Sequence, residues 1–294
     1  MLLKQMFSNG EQQVPAWARR SERALPKIGA PTLRRNGRPA SDHRVFRNLR
    51  RLAWFLIARP VLTVVCFAVA ASQGWWPLAV LLSGVIYGAT LTAVHHLIHG
   101  SLGLSPKART FWLSVLGILV VESGHALQVT HLAHHRSNAD VLDPEGYIEN
   151  VTWWQLPVAA LQFRYRLMWW GWRFTPRRRR VEIELAAHAL AHLGALALLP
   201  VTAWPWIYLS LIHLASFGFA VLAGKGPQTN WGRAISSPFV RVHTVLGSIA
   251  FFSHDQHLEH HAYPKVPLPR LRELRHELEP VFEELDVVDV RLAV

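Results

Sequence analysis

The chain has 294 residues, of which 51% are hydrophobic, and a formal net charge of +12 at pH 7. A soluble domain rarely combines these properties, whereas a membrane protein concentrates apolar residues in long runs and keeps Lys and Arg in its cytoplasmic parts. Nucleic-acid binding is therefore the weaker explanation of the charge. The single cysteine, Cys66, lies in an apolar run, which excludes an intrachain disulfide framework and a cysteine-based metal site.

The N-terminal segment is rich in Arg and Pro and shows no periodic apolar face. We expect residues 1–50 to form a basic, poorly ordered cytoplasmic arm. No short apolar core with a small-residue cleavage site follows the first charges, so a secretory signal is not expected. We interpret residues 51–280 as a membrane domain and residues 281–294 as a C-terminal tail.

Four apolar runs predict transmembrane helices, because roughly 20 apolar residues are needed to cross the hydrocarbon core. The runs cover residues 52–71, 75–94, 185–201 and 203–222, with a short uncharged link within each pair. The sequence therefore predicts an all-α, polytopic membrane protein with four transmembrane helices in two hairpins. Residues 111–121 are too short to span, and residues 153–172 contain Arg164 and Arg166 and are followed by Arg173, so we interpret both segments as interfacial or re-entrant helices.

Charge predicts the orientation of the two hairpins. Both hairpin tips lack Lys and Arg, whereas the arm, the four arginines at 177–180 and the segment after Lys225 are basic. Because cytoplasmic segments carry the excess of Lys and Arg, both hairpins are expected to point away from the cytoplasm. The termini are then cytoplasmic.

Three histidine-rich motifs fall on the predicted cytoplasmic side: HHLIH at 95–99, HLAHH at 131–135 and HLEHH at 257–261. Residues three and four apart share one helical face, so the histidines of each motif can converge. Eight imidazoles exceed what one ion accepts, which favours two metal ions. Zinc is redox-inert, so an all-imidazole pair beside the bilayer is better matched to iron and dioxygen, with a zinc-dependent hydrolase as an alternative.

The three motifs resemble those of the membrane fatty-acid desaturase family, and so do their flanks, RSNAD at 136–140, DPE at 143–145 and HHAYPKVP at 260–267. The resemblance covers about residues 50–280. It implies a helical membrane protein whose cytoplasmic cap holds a di-iron centre over a substrate tunnel. Reducing equivalents would come from outside the chain.

By this resemblance eight histidines are metal ligands, namely His95, His99, His131, His134, His135, His257, His260 and His261. No catalytic residue beyond these ligands is predicted. The family also uses at least one further ligand, for which the candidates here are His254, His243 and Asn230.

Carboxylates can orient metal-binding imidazoles by accepting the second ring N–H. Asp255 and Glu259 are the preferred candidates for this role. The other candidates are Glu122, Asp140, Asp143 and Glu145.

Several histidines lie outside the three ligand faces. We interpret His96 as a polar residue at a helix end. His188, His192 and His213 fall within the third and fourth predicted spans, where a buried polar group is costly. We expect them to form interhelical hydrogen bonds or to line a tunnel.

The resemblance implies an oxidoreductase, a fatty-acid desaturase that uses two Fe ions and O2 to introduce a double bond into an acyl chain. A carotenoid hydroxylase or ketolase with the same three motifs is the alternative. A non-catalytic membrane protein that binds or transports metal is an alternative of another class. No haem motif, dinucleotide fingerprint or Cys cluster is visible. Electrons are therefore expected from a partner such as a ferredoxin or cytochrome, which the basic cytoplasmic face would attract.

Overall fold

The computed structural model describes residues 46–137, 143–221, 260 and 263–271, with only the backbone described at 136, 137, 149 and 150. The regular secondary structure of these residues is helical, and they contain no β-strand. Their seven α-helices are named α1 (Leu49–Ser72), α2 (Trp76–His99), α3 (Pro106–Leu119), α4 (Gly124–Ser137), α5 (Leu156–Phe174), α6 (Arg178–Leu198) and α7 (Trp204–Phe219). A short 3-10 helix, Gly146–Asn150, lies between α4 and α5.

The first two predicted apolar runs form α1 and α2, each 24 residues long. At 1.5 Å per residue each helix is about 36 Å long, enough to cross a hydrocarbon core of about 30 Å. Only three residues join them, and Gly74 in this link has a φ of 72°, which a glycine adopts without a steric penalty. The two helices pack together through small and aliphatic side chains such as Ala53, Leu56 and Leu97.

The third and fourth predicted runs form α6 and α7. Helix α6 is long and apolar enough to span a membrane. Helix α7 has 16 residues and is about 24 Å long, which is short for a crossing. The described residues contain three candidate spans, or four if the bent pair α3 and α4 is counted as one broken span. The two-hairpin, four-span topology stays a prediction.

The two interhelical links meet at one end of the helical bundle. Trp76 at the start of α2 stacks on Trp204 at the start of α7, with ring centroids 4.9 Å apart. Trp is enriched at membrane interfaces. His95 and His99 lie near the opposite end of α2. The uncharged links and the histidine motifs are therefore separated by the length of a membrane-spanning helix.

A sharp bend of 105° between α3 and α4 redirects the chain toward the end of α2. A Cβ atom at Gly117 or Gly124 would overlap backbone atoms of Glu122 or Leu113. At the bend, Val121 has a φ of 56°, which is strained for a β-branched residue. Arg164 of α5 donates hydrogen bonds to the Val121 and Val120 carbonyl groups. The bend therefore depends on two glycines and one buried arginine.

Candidate metal centre

Five histidines from three parts of the chain meet at one end of the bundle. His95 and His99 lie one turn apart on α2, His131 and His135 lie one turn apart on α4, and His260 comes from the third motif. One nitrogen atom of each ring lies within 4.8 Å of those of the other four. The structure thus brings together five of the eight predicted ligands.

These rings cannot satisfy one another by ordinary hydrogen bonds. Nε2 of His131 lies 2.9 Å from Nε2 of His99 and 3.1 Å from Nε2 of His135, which in turn lies 3.0 Å from Nε2 of His260. A ring nitrogen carries either one hydrogen or one lone pair, so the two central nitrogens cannot each form two one-to-one hydrogen bonds. A metal cation would accept several lone pairs at once, so this donor set fits a metal ion.

The burial of the cluster also fits metal binding. His260 is 1% exposed and His131 is 9% exposed, and the other three rings are half-buried. Nδ1 of His95 is buried and has no hydrogen-bond partner among the described residues. Since buried polar atoms are nearly always paired, such a nitrogen is consistent with a site built for a ligand other than protein.

Two carboxylates orient histidines of the second motif. Nδ1 of His134 donates to Asp143 Oδ2 over 2.7 Å, and Nδ1 of His131 lies 3.2 Å from both carboxylate oxygens of Glu145. Such partners fix the tautomer and the orientation of a ligating ring. Asp255 and Glu259 were the preferred carboxylates predicted for this role. Those two lie outside the described residues, whereas Asp143 and Glu145 make the contacts.

The two carboxyl groups differ in their electrostatics. Burial by itself would raise the pKa of Asp143, but the hydrogen bond and charge of His134 outweigh it and hold that pKa below its usual value. Asp143 is therefore ionised at neutral pH and acts as an acceptor. Burial raises the pKa of Glu145 to about 7. Only the ionised form of Glu145 requires the hydrogen of His131 to sit on Nδ1, which leaves the Nε2 lone pair directed at the cluster.

Other predicted site residues lie elsewhere. The His134 ring centroid is 5.8 Å from those of His131 and His135, so this ring stands beside the five-histidine cluster. Glu122 contacts Tyr87 and Ser216 instead of a motif histidine. The remaining predicted residues lie outside the described part of the chain, namely Asp140, Asn230, His243, His254, Asp255, His257, Glu259 and His261.

His96 connects α2 to the chain that follows the third motif. Its Nδ1 donates to the Thr92 carbonyl over 2.7 Å, and its Nε2 accepts the backbone N–H of Leu268 over 3.1 Å. The ring is 1% exposed. The interpretation of His96 as a polar residue at a helix end missed this contact. No local sequence signal reveals a partner 172 residues away.

The family model described as fatty acid desaturase matches residues 73–292, which is most of the chain. The chain belongs to the fatty acid desaturase family. No curated protein and no solved structure matches it significantly. The resemblance inferred from the three histidine motifs is confirmed. With its apolar helices, this desaturase-family protein is an integral membrane protein and an oxygen-dependent enzyme of the desaturase or hydroxylase type.

Glu184 of α6 holds the first turn of α4 in this desaturase-family protein. It accepts hydrogen bonds from the hydroxyls of Ser114 and Ser123, and from Nδ1 and the backbone N–H of His125. The carboxylate thereby pairs a backbone N–H that has no partner within α4, the helix that carries the second motif, and its negative charge interacts favourably with the helix dipole. Glu184 was not among the predicted site residues, although an acidic residue next to an apolar run indicates a group that needs a buried partner.

A second histidine group links α5, α6 and α7. Arg164 donates to Nδ1 of His213 over 2.7 Å, so the hydrogen of the neutral His213 ring must sit on Nε2. That nitrogen lies 3.0 Å from Nε2 of His192, whose Nδ1 donates to the His188 carbonyl over 2.8 Å. The predicted interhelical hydrogen bond is confirmed for His192 and His213.

Proposed function

We propose that this protein is a fatty-acyl desaturase whose histidine cluster binds two iron ions. The observation that supports this function most strongly is the convergence of five histidine nitrogens within 4.8 Å in a chain of this family. When bound, the iron pair would supply the oxidising power needed at an unactivated C–H bond, which side-chain acid–base chemistry cannot break. In the overall reaction O2, two electrons, two protons and the saturated chain give the alkene and two molecules of water.

The proposed ligand set is the full group of eight motif histidines. Five of these present their nitrogens to one another, and His134 stands beside them with Asp143 behind it. His257 and His261 complete the set as proposed ligands. Eight imidazoles exceed the capacity of a single ion, which supports two irons. Asp143 and Glu145 keep the second-motif rings oriented, and His96 holds the chain near His260.

The proposed topology places the histidine cluster and both termini on the cytoplasmic side, with two hairpins crossing the membrane. The tips without Lys or Arg and the exposed arginines at 177–180 support this orientation. An acyl chain from the bilayer would be the apolar substrate. A ferredoxin or cytochrome with an acidic surface would deliver the electrons to the basic face.

The proposal is tested by expressing the chain with a ferredoxin and its reductase and comparing lipid and pigment extracts by mass spectrometry. Wild type is compared with the His134→Ala/His135→Ala variant and with His192→Ala/His213→Ala, which removes two histidines outside the cluster. Iron is measured on all three proteins by plasma mass spectrometry. We expect acyl chains lighter by two hydrogens with wild type and with His192→Ala/His213→Ala, and none with His134→Ala/His135→Ala.

Other outcomes would contradict the desaturase proposal in distinct ways. Acyl chains with an added oxygen would indicate a hydroxylase. A changed carotenoid would indicate a hydroxylase or ketolase acting on pigment. A wild type that holds no iron and changes neither lipid nor pigment would favour a metal-handling protein.

A further inference from the structure

A groove of about 550 Å³ lies between α3 and the start of α6. One face of α3, from Lys107 to Ile118, forms its floor and walls, and Arg180 of α6 borders it. The two helices begin at the same level, because Arg180 shares the groove with Lys107 while Ser114, farther along α3, contacts Glu184, farther along α6. The groove therefore runs along both helix axes.

The length of the groove matches one membrane leaflet. The eleven residue steps from Lys107 to Ile118 correspond to about 16 Å along the helix axis, close to half of a hydrocarbon core of about 30 Å. Its wall is formed by large apolar side chains that stay exposed, Phe111 at 58% and Ile118 at 45%, together with Val115. Helix α6 is also mostly exposed, because only 22% of the residues in its most apolar stretch are buried. The groove is thus open to the outside of the helical bundle.

One end of the groove is positively charged. Lys107 and Arg180 are both exposed and lie in the first turns of α3 and α6, where helix dipoles favour anions. Neither cation forms an ion pair with a carboxylate among the residues that the structure describes. The nearby Glu182 is paired with Arg178 over 3.1 Å. The carboxylate of buried Glu184 contacts Ser114, Ser123 and His125 and forms no ion pair with Lys107 or Arg180.

We propose that this groove binds an anionic membrane lipid as a resident ligand. Its phosphate would lie between Lys107 and Arg180, and one acyl chain would lie along Phe111, Val115 and Ile118. The apolar wall accepts a chain of any phospholipid, whereas the two cations select a headgroup with net negative charge. The groove lies at the histidine-bearing end of the bundle, because α3 begins soon after His99, yet it shares no residue with the five-histidine cluster.

Lipid selection is measured on the full-length protein, reconstituted in nanodiscs with equal amounts of phosphatidylglycerol and phosphatidylcholine. The lipids that remain bound after transfer to detergent are counted by native mass spectrometry. Wild type is expected to retain phosphatidylglycerol over phosphatidylcholine by about tenfold or more, since each cation near the membrane surface contributes several-fold. The Lys107→Glu/Arg180→Glu variant is expected to lose this preference to within about twofold.

The matched control is Arg50→Glu/Arg179→Glu, which makes the same change in net charge at exposed positions outside the groove. It is expected to retain the wild-type preference. If this control loses as much phosphatidylglycerol as Lys107→Glu/Arg180→Glu, the charge acts diffusely and the site proposal is wrong. Because α3 and α6 keep their buried faces in both variants, unfolding is not expected to account for the result.

A second variant tests the acyl-chain half of the groove. Val115→Trp narrows the apolar part of the groove and leaves both cations in place, and it is expected to reduce the amount of retained phosphatidylglycerol. Unchanged retention in this variant, or full displacement of the lipid by excess inorganic phosphate, would overturn the proposal. Iron content is expected to stay at the wild-type level in all of these variants. The lipid site and the proposed di-iron function can therefore fail independently.

Discussion

The two histidine groups of this protein differ in what surrounds their ring nitrogens. In the five-histidine cluster, Nε2 atoms from α2, α4 and the third motif face one another and share donors and acceptors. In the second histidine group, Arg164, His213 and His192 form a chain in which each described contact joins one donor to one acceptor. The number of histidines is therefore a poor guide to metal binding.

This difference has a physical reason. A neutral imidazole has one N–H and one lone pair, so a chain of rings can be satisfied by hydrogen bonds alone when one end is fixed by a donor such as Arg164. When ionised carboxylates behind the rings take the N–H groups, as the ionised form of Glu145 does for His131, the remaining lone pairs point at one another. A metal cation that accepts these lone pairs relieves that arrangement. Four variants test whether the two groups really differ in this way.

The largest effect is expected from His135→Ala, which removes a nitrogen that contacts both His131 and His260. Iron content and turnover are expected to fall more than about 100-fold, because even changes behind metal ligands cost 10–100-fold. Plasma mass spectrometry and product analysis measure the two quantities. His192→Ala is the matched control, since His192 is also half-buried. Equal iron loss in both variants would contradict the distinction between the groups.

Arg164→Met is expected to lower the free energy of unfolding by about 3–5 kcal/mol, because Arg164 Nε lies 3.8 Å from Oε1 of buried Glu122 and the variant leaves that carboxylate without this cationic partner. Arg164 also holds His213 and the strained bend before α4. Denaturant titration in detergent measures the change. Arg166→Met is the control, because Arg166 is exposed on the same helix and contacts only the Tyr147 ring among the described residues. If the two variants lower the free energy of unfolding by amounts that differ by less than about 1 kcal/mol, the contacts of Arg164 do not stabilise the fold.

Asp143→Asn is expected to lower iron affinity by about 10–100-fold while the protein stays folded. The amide no longer carries the negative charge that holds the N–H of His134 on Nδ1. Competition with an iron chelator measures the affinity. Glu182→Gln is the control, because that carboxylate is exposed and pairs with Arg178 away from the cluster. An unchanged iron affinity in Asp143→Asn would mean that His134 is not a ligand.

The smallest effect is expected from His192→Ala on stability. Interhelical hydrogen bonds in membrane proteins contribute about 0.6 kcal/mol on average and up to about 1.7 kcal/mol. His192→Ala should therefore lower the free energy of unfolding by an amount within that range and leave the iron content unchanged. A loss of bound iron would instead mean that α6 and α7 support the metal centre, which would remove the distinction between the two histidine groups.

Some features of the site could be predicted from local sequence because they follow from helix geometry. His95 and His99, like His131 and His135, share a face at a spacing of four, and apolar run length predicted α1, α2 and α6. Local sequence could not rank Asp143 and Glu145 above Asp255 and Glu259. Which carboxylate meets an imidazole depends on how the segment after α4 folds back onto it.

The sequence by itself determined the membrane class, the family and the identities of the histidines, because composition and short-range spacing are properties of neighbouring residues. Only the tertiary structure decided which of these histidines share a cluster, which are joined by hydrogen bonds and which hold another segment, as His96 holds Leu268. Those roles depend on contacts between residues far apart in the chain. The bend at Gly117 and Gly124, fixed by Arg164 and Glu184, brings His131 and His135 to His95 and His99 by turning α4 onto the end of α2.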